Sequence, residues 1–541
     1  MGGDASYQFI FFVYCTQKRR ESNKLHPTFN VIPTTLALHF IGGEEYNLNN
    51  TIMLHIQEEA MRCLMCANAQ CSKACTNGDP ARAIRAIRFG NEKLAWRWLA
   101  KCSADELEAA EKACVHYDNC IRIKELANYL SESYLDSDES KVSLAIDFCG
   151  IHCENPFFLA SSAVCTNYEM VARAFDMGWG GVFYKTICVQ DINEVSPRFD
   201  ALQQCGKSDF YAFRNMEQLS ENPNDVDFDI LHRLKQDYPT KVVVASIMGQ
   251  KEEEWIELAK RAEEAGCDAV ELNFSCPQMR FAGMGSDVGQ NAELVFFFTA
   301  CVKRSVSIPV ISKLTPNITH MNQPAMAAYM AGANAISAIN TIKSVTMGKN
   351  AEVSGRKTVS GLSGRAVKPI AQRFVLGMAK NPLLCGDHGK SIELSGIGGI
   401  ETWRDALEYI QLGCRNVQIC TAVMQYGYRI IDDLILGLQH YLMDRGVTSI
   451  DSLVGEELSN FVTPIDLDRN TIVYPTINRD KCVGCGRCYT SCQDGGHQAI
   501  AFDAETHQPR IIGTKCVGCH LCRLVCPVNA IGVTKRVIKK E

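Results

Sequence analysis

No stretch of the 541 residues is apolar for long enough to cross a bilayer. FIFFVYC at 9–15 falls far short of the ~20 residues a spanning helix needs. Its basic neighbours KRR follow rather than precede it, so it does not read as a secretory leader. Positive charge is not in excess: 55 Lys and Arg face 61 Asp and Glu, a net −6, which argues against a general nucleic-acid binder. No G-x-G-x-x-G follows a strand pattern and opens a helix, so a Rossmann dinucleotide site is not visible. These absences point to a soluble, cytoplasmic chain with neither a membrane nor a nucleic acid as partner.

What the chain has in quantity is cysteine, 27 residues. A disulfide framework belongs to short secreted proteins. In a chain this long the thiols point instead to iron–sulfur or zinc sites in a reducing compartment. The length also exceeds one ordinary core.

Three zones follow one another, after an N-terminal segment without clear period. Residues 1–52 read as a disordered or misassigned extension, with Met53 of MLHIQEEAMRC as the alternative start. Residues 53–141 are helical in pattern and rich in cysteine, and they close on the acidic linker SESYLDSDESK. Residues 142–448 alternate short apolar runs with amphipathic helical patterns. The runs are NPFFLASS, GGVFYKTI, KVVVASIM, DAVELNFS, PVISKLTP, NAISAINT, SIELSGIGG and RNVQICTAV. Eight strand–helix units predict an α/β fold, a (β/α)8 TIM barrel whose chemistry sits at the C-terminal strand ends. Residues 449–541 end in two cysteine runs.

Those runs are CVGCGRCYTSC and CVGCHLCRLVCP, each C-x2-C-x2-C-x3-C. Three close thiolates wrap one cubane and the fourth reaches across to the other cluster. The spacing therefore predicts two [4Fe-4S] clusters in a ferredoxin-type domain. One is held by Cys482, Cys485, Cys488 and Cys526, the other by Cys516, Cys519, Cys522 and Cys492. Gln493 stands where a proline usually closes the first run. Zinc sites use separated pairs rather than tandem fours. The N-terminal run CLMCANAQCSKAC carries Cys63, Cys66, Cys71 and Cys75 at a less diagnostic spacing, and structural zinc is a live alternative there. Cys102, Cys114 and Cys120 lie within reach of the same zone.

In the barrel, SGIGGI at 395–400 follows the seventh run and ICTAV at 419–423 ends the eighth. Loops at those two places commonly hold a phosphate through backbone amides, which suits a mononucleotide. The chain also reads NPFFLASSAV, NEVSPRFDAL, FRNMEQ, ELNFSCPQ, KLTPNI, INTIKS, SGLSGRAVKPIA, SGIGGIETW and CVGCGRCYTSC. By these motifs residues 143–535 resemble the flavin subunits of bacterial NAD-dependent dihydropyrimidine dehydrogenases. The wider dihydroorotate dehydrogenase family shares the N-x-S-C-P core, typically followed by asparagine. Gln278 stands there here and favours the pyrimidine branch.

The resemblance implies reduction of the C5–C6 double bond of uracil or thymine, in either direction. Hydride comes from FMN, and Cys276 supplies the proton as general acid. It implies that Asn215, Asn273, Asn340 and Thr341 hold the base, with Ser275 beside them. It implies an FMN site drawing on Ala160, Ser161, Lys185, Thr186, Asn273, Lys313, Gly364, Gly398, Gly399, Cys420 and Thr421. The N-terminal zone resembles the helical iron–sulfur domain of the partner subunit. On that basis a third [4Fe-4S] cluster is expected on Cys63, Cys66, Cys71 and Cys75. Cys114 and Cys120 keep the spacing of two later family ligands, and the next family cysteine falls in IRIK and is missing. Electrons are then expected from an FAD- and NAD(P)H-binding partner subunit or a ferredoxin, in an oligomer. A dihydroorotate dehydrogenase-like enzyme and a non-catalytic flavin/iron–sulfur electron-transfer subunit are the competing readings.

Overall fold

The computed structural model describes residues 56–130, 141–203, 210–277, 279, 283–347, 358–385 and 391–539. These belong to one compact unit, Leu48–Glu541. The extension 1–52, linker residues 131–140, Gln278 and loop residues 280–282 lie outside the described residues.

All eight apolar runs form strands. They are β1 (Phe157–Leu159), β2 (Gly181–Phe183), β3 (Val242–Ile247), β4 (Ala269–Asn273), β5 (Val310–Lys313), β6 (Ala335–Ala338), β7 (Glu393–Ile397) and β8 (Cys414–Ile419). They close into a parallel barrel in chain order, β8 returning to β1 with Val417 opposite Phe157. The strands are apolar runs because both faces are covered: every residue of β3 is buried. The outer helices bury one stripe. In Trp403–Gln411 the buried positions are Trp403, Ala406, Leu407 and Ile410 with Tyr409 beside them, and Thr402 and Asp405 form a capping box at its start.

A four-stranded antiparallel sheet is built from insertions and was not apparent in the sequence. Its order is Ile342–Ser344, Ser360–Ser363, Phe210–Asn215, Phe199–Gln203. Arg214 is buried in it and donates to Thr346 Oγ1 and to the Thr358 carbonyl. This sheet carries Asn215 and Ser363 to the mouth of the barrel.

The N-terminal helices pack on the barrel helix Ile431–Asp444. Asp79 and Asn91 cap Pro80–Arg88 and Glu92–Leu99 through side-chain oxygens. Arg85 donates to Asp433, a carboxylate only 1% exposed. Burial outweighs that cation and pushes the Asp433 carboxyl up to about 6.

The C-terminal domain follows the exposed stretch 461–470. Two antiparallel ribbons there pair Pro475–Ile477 with Ile531–Val533 and Ile500–Asp503 with Gln508–Ile511. The helix Arg487–Gly495 carries Cys488 and Cys492 four residues apart, on one face.

Candidate active site and iron–sulfur centres

A cavity of about 120 Å³ opens where the barrel strands end. A single water needs only about 10–15 Å³ by that measure, so this is more than a packing defect. Its wall includes Ala160 and Ser161 after β1, Lys185 and Thr186 after β2, and Asn273 and Cys276 at the end of β4. Lys313 ends β5, and Asn340 and Thr341 follow β6. Gly398, Gly399, Cys420 and Thr421 follow β7 and β8, and Asn215 and Gly364 come from the antiparallel sheet. Of the candidate site residues read from the barrel sequence, Ser275 alone stays behind the wall.

Ser275 is fully buried and organises its neighbours. Its backbone N–H and its Oγ–H both donate to Asn273 Oδ1, at 3.1 and 2.7 Å. The backbone donor fixes the amide's orientation, because only the oxygen end can accept it. Asn273 Nδ2 then donates to Thr186 Oγ1 at 2.9 Å, and Asn340 Nδ2 donates to Ser275 Oγ at 2.8 Å. A carboxamide has two donor hydrogens and two acceptor lone pairs. By that count Asn273 keeps one N–H, while Asn340, whose Oδ1 also accepts from Thr341 N, keeps one N–H and one lone pair.

Two buried lysines enter the cavity, each with a carboxylate. Lys185 Nζ lies 3.0 Å from Glu217 Oε1, and Lys313 Nζ lies 3.6 Å from Glu271 Oε1. Glu271 is fully buried in β4 and accepts from Ser246 Oγ at 3.0 Å and Ser337 Oγ at 2.6 Å. Sequence reading missed Glu271, Glu217 and Gln418. The signal for Glu271 and Gln418 was available: each is a polar residue inside an apolar strand, DAVELN or RNVQIC.

Cys276 is 5% exposed and touches the cavity. Its carbonyl accepts from Ser286 N at 2.9 Å. Gly285 turns the returning chain at φ +57°, where a Cβ would fall 2.5 Å from that same carbonyl. The loop thus holds the thiol's backbone by close approach.

The residues fit FMN. Gln418, 1% exposed, donates to Ser395 Oγ, yet its buried Oε1 has no hydrogen-bond partner and awaits a donor. Gly398 and Gly399 have φ +126° and +71°, and a Cβ on Gly399 would sit 2.8 Å from Lys368 Cβ. Backbone alone can pass there. Burial pushes up the Cys420 thiol beside this loop, so it lines the cavity as a neutral group.

In the C-terminal domain Cys482, Cys485, Cys488 and Cys526 line one cavity of about 20 Å³. Cys526 comes to the first run and Cys492 does not line that cavity. Burial pushes the Cys522 thiol up to about 11, and Cys488, Cys519 and Cys516 nearby add to it. Such thiols resist common ionisation until positive metal charge arrives. Backbone N–H groups of Ala499 and Ala530 donate to Cys492 Sγ and Cys526 Sγ at 3.3 and 3.2 Å.

In the N-terminal domain Cys63, Cys66 and Cys71 line a cavity of about 20 Å³. Cys75 is not with them; Cys114 is. Cys120 does not line it either. Among the described residues no three His, Cys, Asp or Glu side chains close on a single metal ion. Nor is any helix among them long and apolar enough to cross a membrane.

Residues 143–442 match the dihydroorotate dehydrogenase family, and residues 475–533 match the 4Fe-4S dicluster domain. The chain belongs to the dihydroorotate dehydrogenase family. It is an oxidoreductase chain with an iron–sulfur domain appended. It is 51% identical over 403 residues to the NAD-dependent dihydropyrimidine dehydrogenase subunit PreA of Escherichia coli K12, covering 73% of this chain and 97% of that one. It is 36% identical over 343 residues to the chloroplastic dihydropyrimidine dehydrogenase (NADP(+)) of Arabidopsis thaliana, covering 61% and 80%. It is 35% identical over 319 residues to the catalytic subunit of dihydroorotate dehydrogenase B (NAD(+)) of Thermococcus kodakarensis, covering 58% and 97%.

Proposed function

We propose that the chain reduces the C5–C6 double bond of uracil or thymine, reversibly, as the catalytic subunit of a dihydropyrimidine dehydrogenase. The observation that carries this reading is the wall formed by Cys276 with Asn273 and Asn340. A planar pyrimidine edge alternates C=O and N–H groups. The single N–H left on Asn273 suits a carbonyl. The N–H and lone pair left on Asn340 suit a C=O/N–H pair. Asn215 and Thr341 complete the set around the base.

FMN, when bound, would supply the hydride for C6 of the base. Ala160, Ser161, Lys185, Thr186, Asn273, Lys313, Gly364, Gly398, Gly399, Cys420 and Thr421 would hold it, with Gln418 Oε1 as a further acceptor. Hydride arrival at C6 leaves negative charge across C5 and the C4 oxygen. Cys276 gives its proton to C5 and discharges that anion. Lys185 and Lys313, each held by a carboxylate, would offer cationic groups to the negative charge that forms on flavin and base. Gly285 packs against the Cys276 carbonyl, and the residue is buried, which limits water at the thiol.

The tail is proposed to carry two [4Fe-4S] clusters, on Cys482, Cys485, Cys488 and Cys526 and on Cys516, Cys519, Cys522 and Cys492. Electrons come from a partner holding FAD and NAD(P)H sites; the name of the Escherichia coli relative, a subunit, supports an assembly. The test is an anaerobic screen of the purified chain. Reduced viologen should drive turnover of uracil and thymine, NADH alone should drive little, and dihydroorotate should not be oxidised. Turnover of dihydroorotate but not of pyrimidines would favour the orotate reading and overturn this one.

A further inference from the structure

We infer that the N-terminal domain holds a single [4Fe-4S] cluster on Cys63, Cys66, Cys71 and Cys114, and that Cys75 is not a ligand. This rests on the iron–sulfur reading of the chain given above. Cubane chemistry asks for four thiols around one enclosed space, one for each iron. The four named thiols line a space of about 20 Å³. The tail cavity ringed by Cys482, Cys485, Cys488 and Cys526 also measures about 20 Å³, and that tail matches a dicluster domain. Thiol number and cavity size therefore agree between the two places. The rest of the N-terminal wall is largely apolar, with Ala81, Ile84, Ile121 and Ile123.

Cys114 reaches the cavity from just past the helix Ala104–Lys112, its N–H bonded to the Glu111 carbonyl. It lines the same cavity as Cys63, Cys66 and Cys71. Cys75 turns the other way, with its thiol against Cys102 and 3.8 Å from the Glu106 carbonyl. Gly78 leaves the room this needs: a Cβ there would lie 2.1 Å from Cys102 Sγ. Cys75 and Cys102 thus form a pair of their own, and no fourth thiol of the Cys63 set is left to them.

The loop is also built for an anionic guest. Met65 takes φ +52°, and its N–H donates to Cys63 Sγ at 3.4 Å. Arg429, from the barrel, donates to the Met65 and Cys66 carbonyls at 2.6 and 3.3 Å. Arg88 donates to the Cys63 carbonyl at 3.4 Å. These cations hold the loop's carbonyls outward and bring positive charge to its rim.

The test uses the full chain purified anaerobically. Iron and zinc are counted, and the dithionite-reduced protein is examined by electron paramagnetic resonance. Wild type should hold about twelve irons, three cubanes. Cys114→Ala should lose about four irons and one of the three spectra, with FMN content unchanged. Cys75→Ala should keep all the iron, and Cys114→Ser, with an oxygen that can ligate, should shift the spectrum of one cluster only. Iron lost from Cys75→Ala, or retained in Cys114→Ala, overturns the ligand set, and the Cys75→Ala result decides alone if Cys114→Ala does not fold. About eight irons in wild type, or stoichiometric zinc beside them, overturns the N-terminal cluster while the tail reading stands. Fewer than about eight overturns the tail reading itself.

Discussion

Replacing Glu271 by glutamine removes a charge from the barrel centre while changing little else. The two serine hydroxyls that donate to Glu271 can each rotate to donate or accept, so a glutamine side chain at this position keeps both hydrogen bonds. What goes is the counter-charge of Lys313, 3.6 Å away and itself 3% exposed. At an effective dielectric of about 20 that attraction is roughly 4–5 kcal/mol before desolvation is subtracted. Removing one partner of a buried pair costs about 3–5 kcal/mol, unless the lysine sheds its proton. Lys313→Met strands Glu271 in the same way and should cost a similar amount. The double variant Glu271→Gln/Lys313→Met should regain more than half of the loss, because no buried charge remains unpaired. It should not regain turnover if Lys313 serves the flavin as proposed. Amide hydrogen exchange of β4 and β5 in the flavin-free chain reads the barrel locally, which suits a protein of several domains. The reasoning fails if Glu271→Gln exchanges like wild type, or if the double variant is no better protected than Lys313→Met.

Two further outcomes follow from the packing. Gly285→Ala places a methyl 2.5 Å from the Cys276 carbonyl at φ +57°, so the thiol's loop must shift. Turnover should fall at least about tenfold with flavin content unchanged; full activity would show that this loop does not position Cys276. Asp433 gives a pH dependence whose sign is set by its raised carboxyl, about 6 against an ordinary 3.8. The folded protein binds a proton that the unfolded chain releases, so this group's contribution is complete below about pH 4 and is lost as pH rises through about 6. Protection of the helix Pro80–Arg88 should therefore weaken from pH 5 to 7, and Asp433→Asn should flatten that trend. An unchanged slope in the variant would remove Asp433 as the cause.

Much of the barrel could be read from sequence because a parallel strand covered on both faces becomes an uninterrupted apolar run such as KVVVAS. The polar residues that end those runs, Lys185, Asn273 and Lys313, were conspicuous for the same reason. The antiparallel sheet over the mouth was not, since FDALQ and FYAFRN are half-buried insertions without clean alternation. Ser275 is expected beside the residues that hold the base, and the structure sets it behind the wall, bonded to two of the asparagines. A sequence cannot separate these roles, because residues on a turn after a strand have no fixed period. Cys75 shows the same limit. Its place in a tight cysteine run reads as a ligand's, and the structure sets its thiol near Cys102, off the cavity that Cys63, Cys66 and Cys71 line.

The proton donor is the centre of the account, and one measurement addresses it. Reduced flavin in the anaerobic chain is mixed with excess uracil, and its reoxidation is followed in a single turnover. Cys276→Ala should slow that step by roughly 10²–10⁴-fold, the scale of a positioned acid, with flavin binding intact. Cys276→Ser should be nearly as slow, because a hydroxyl is a far weaker acid than a thiol. A Cys276→Ala rate within about threefold of wild type would make this thiol a packing group and contradict the mechanism.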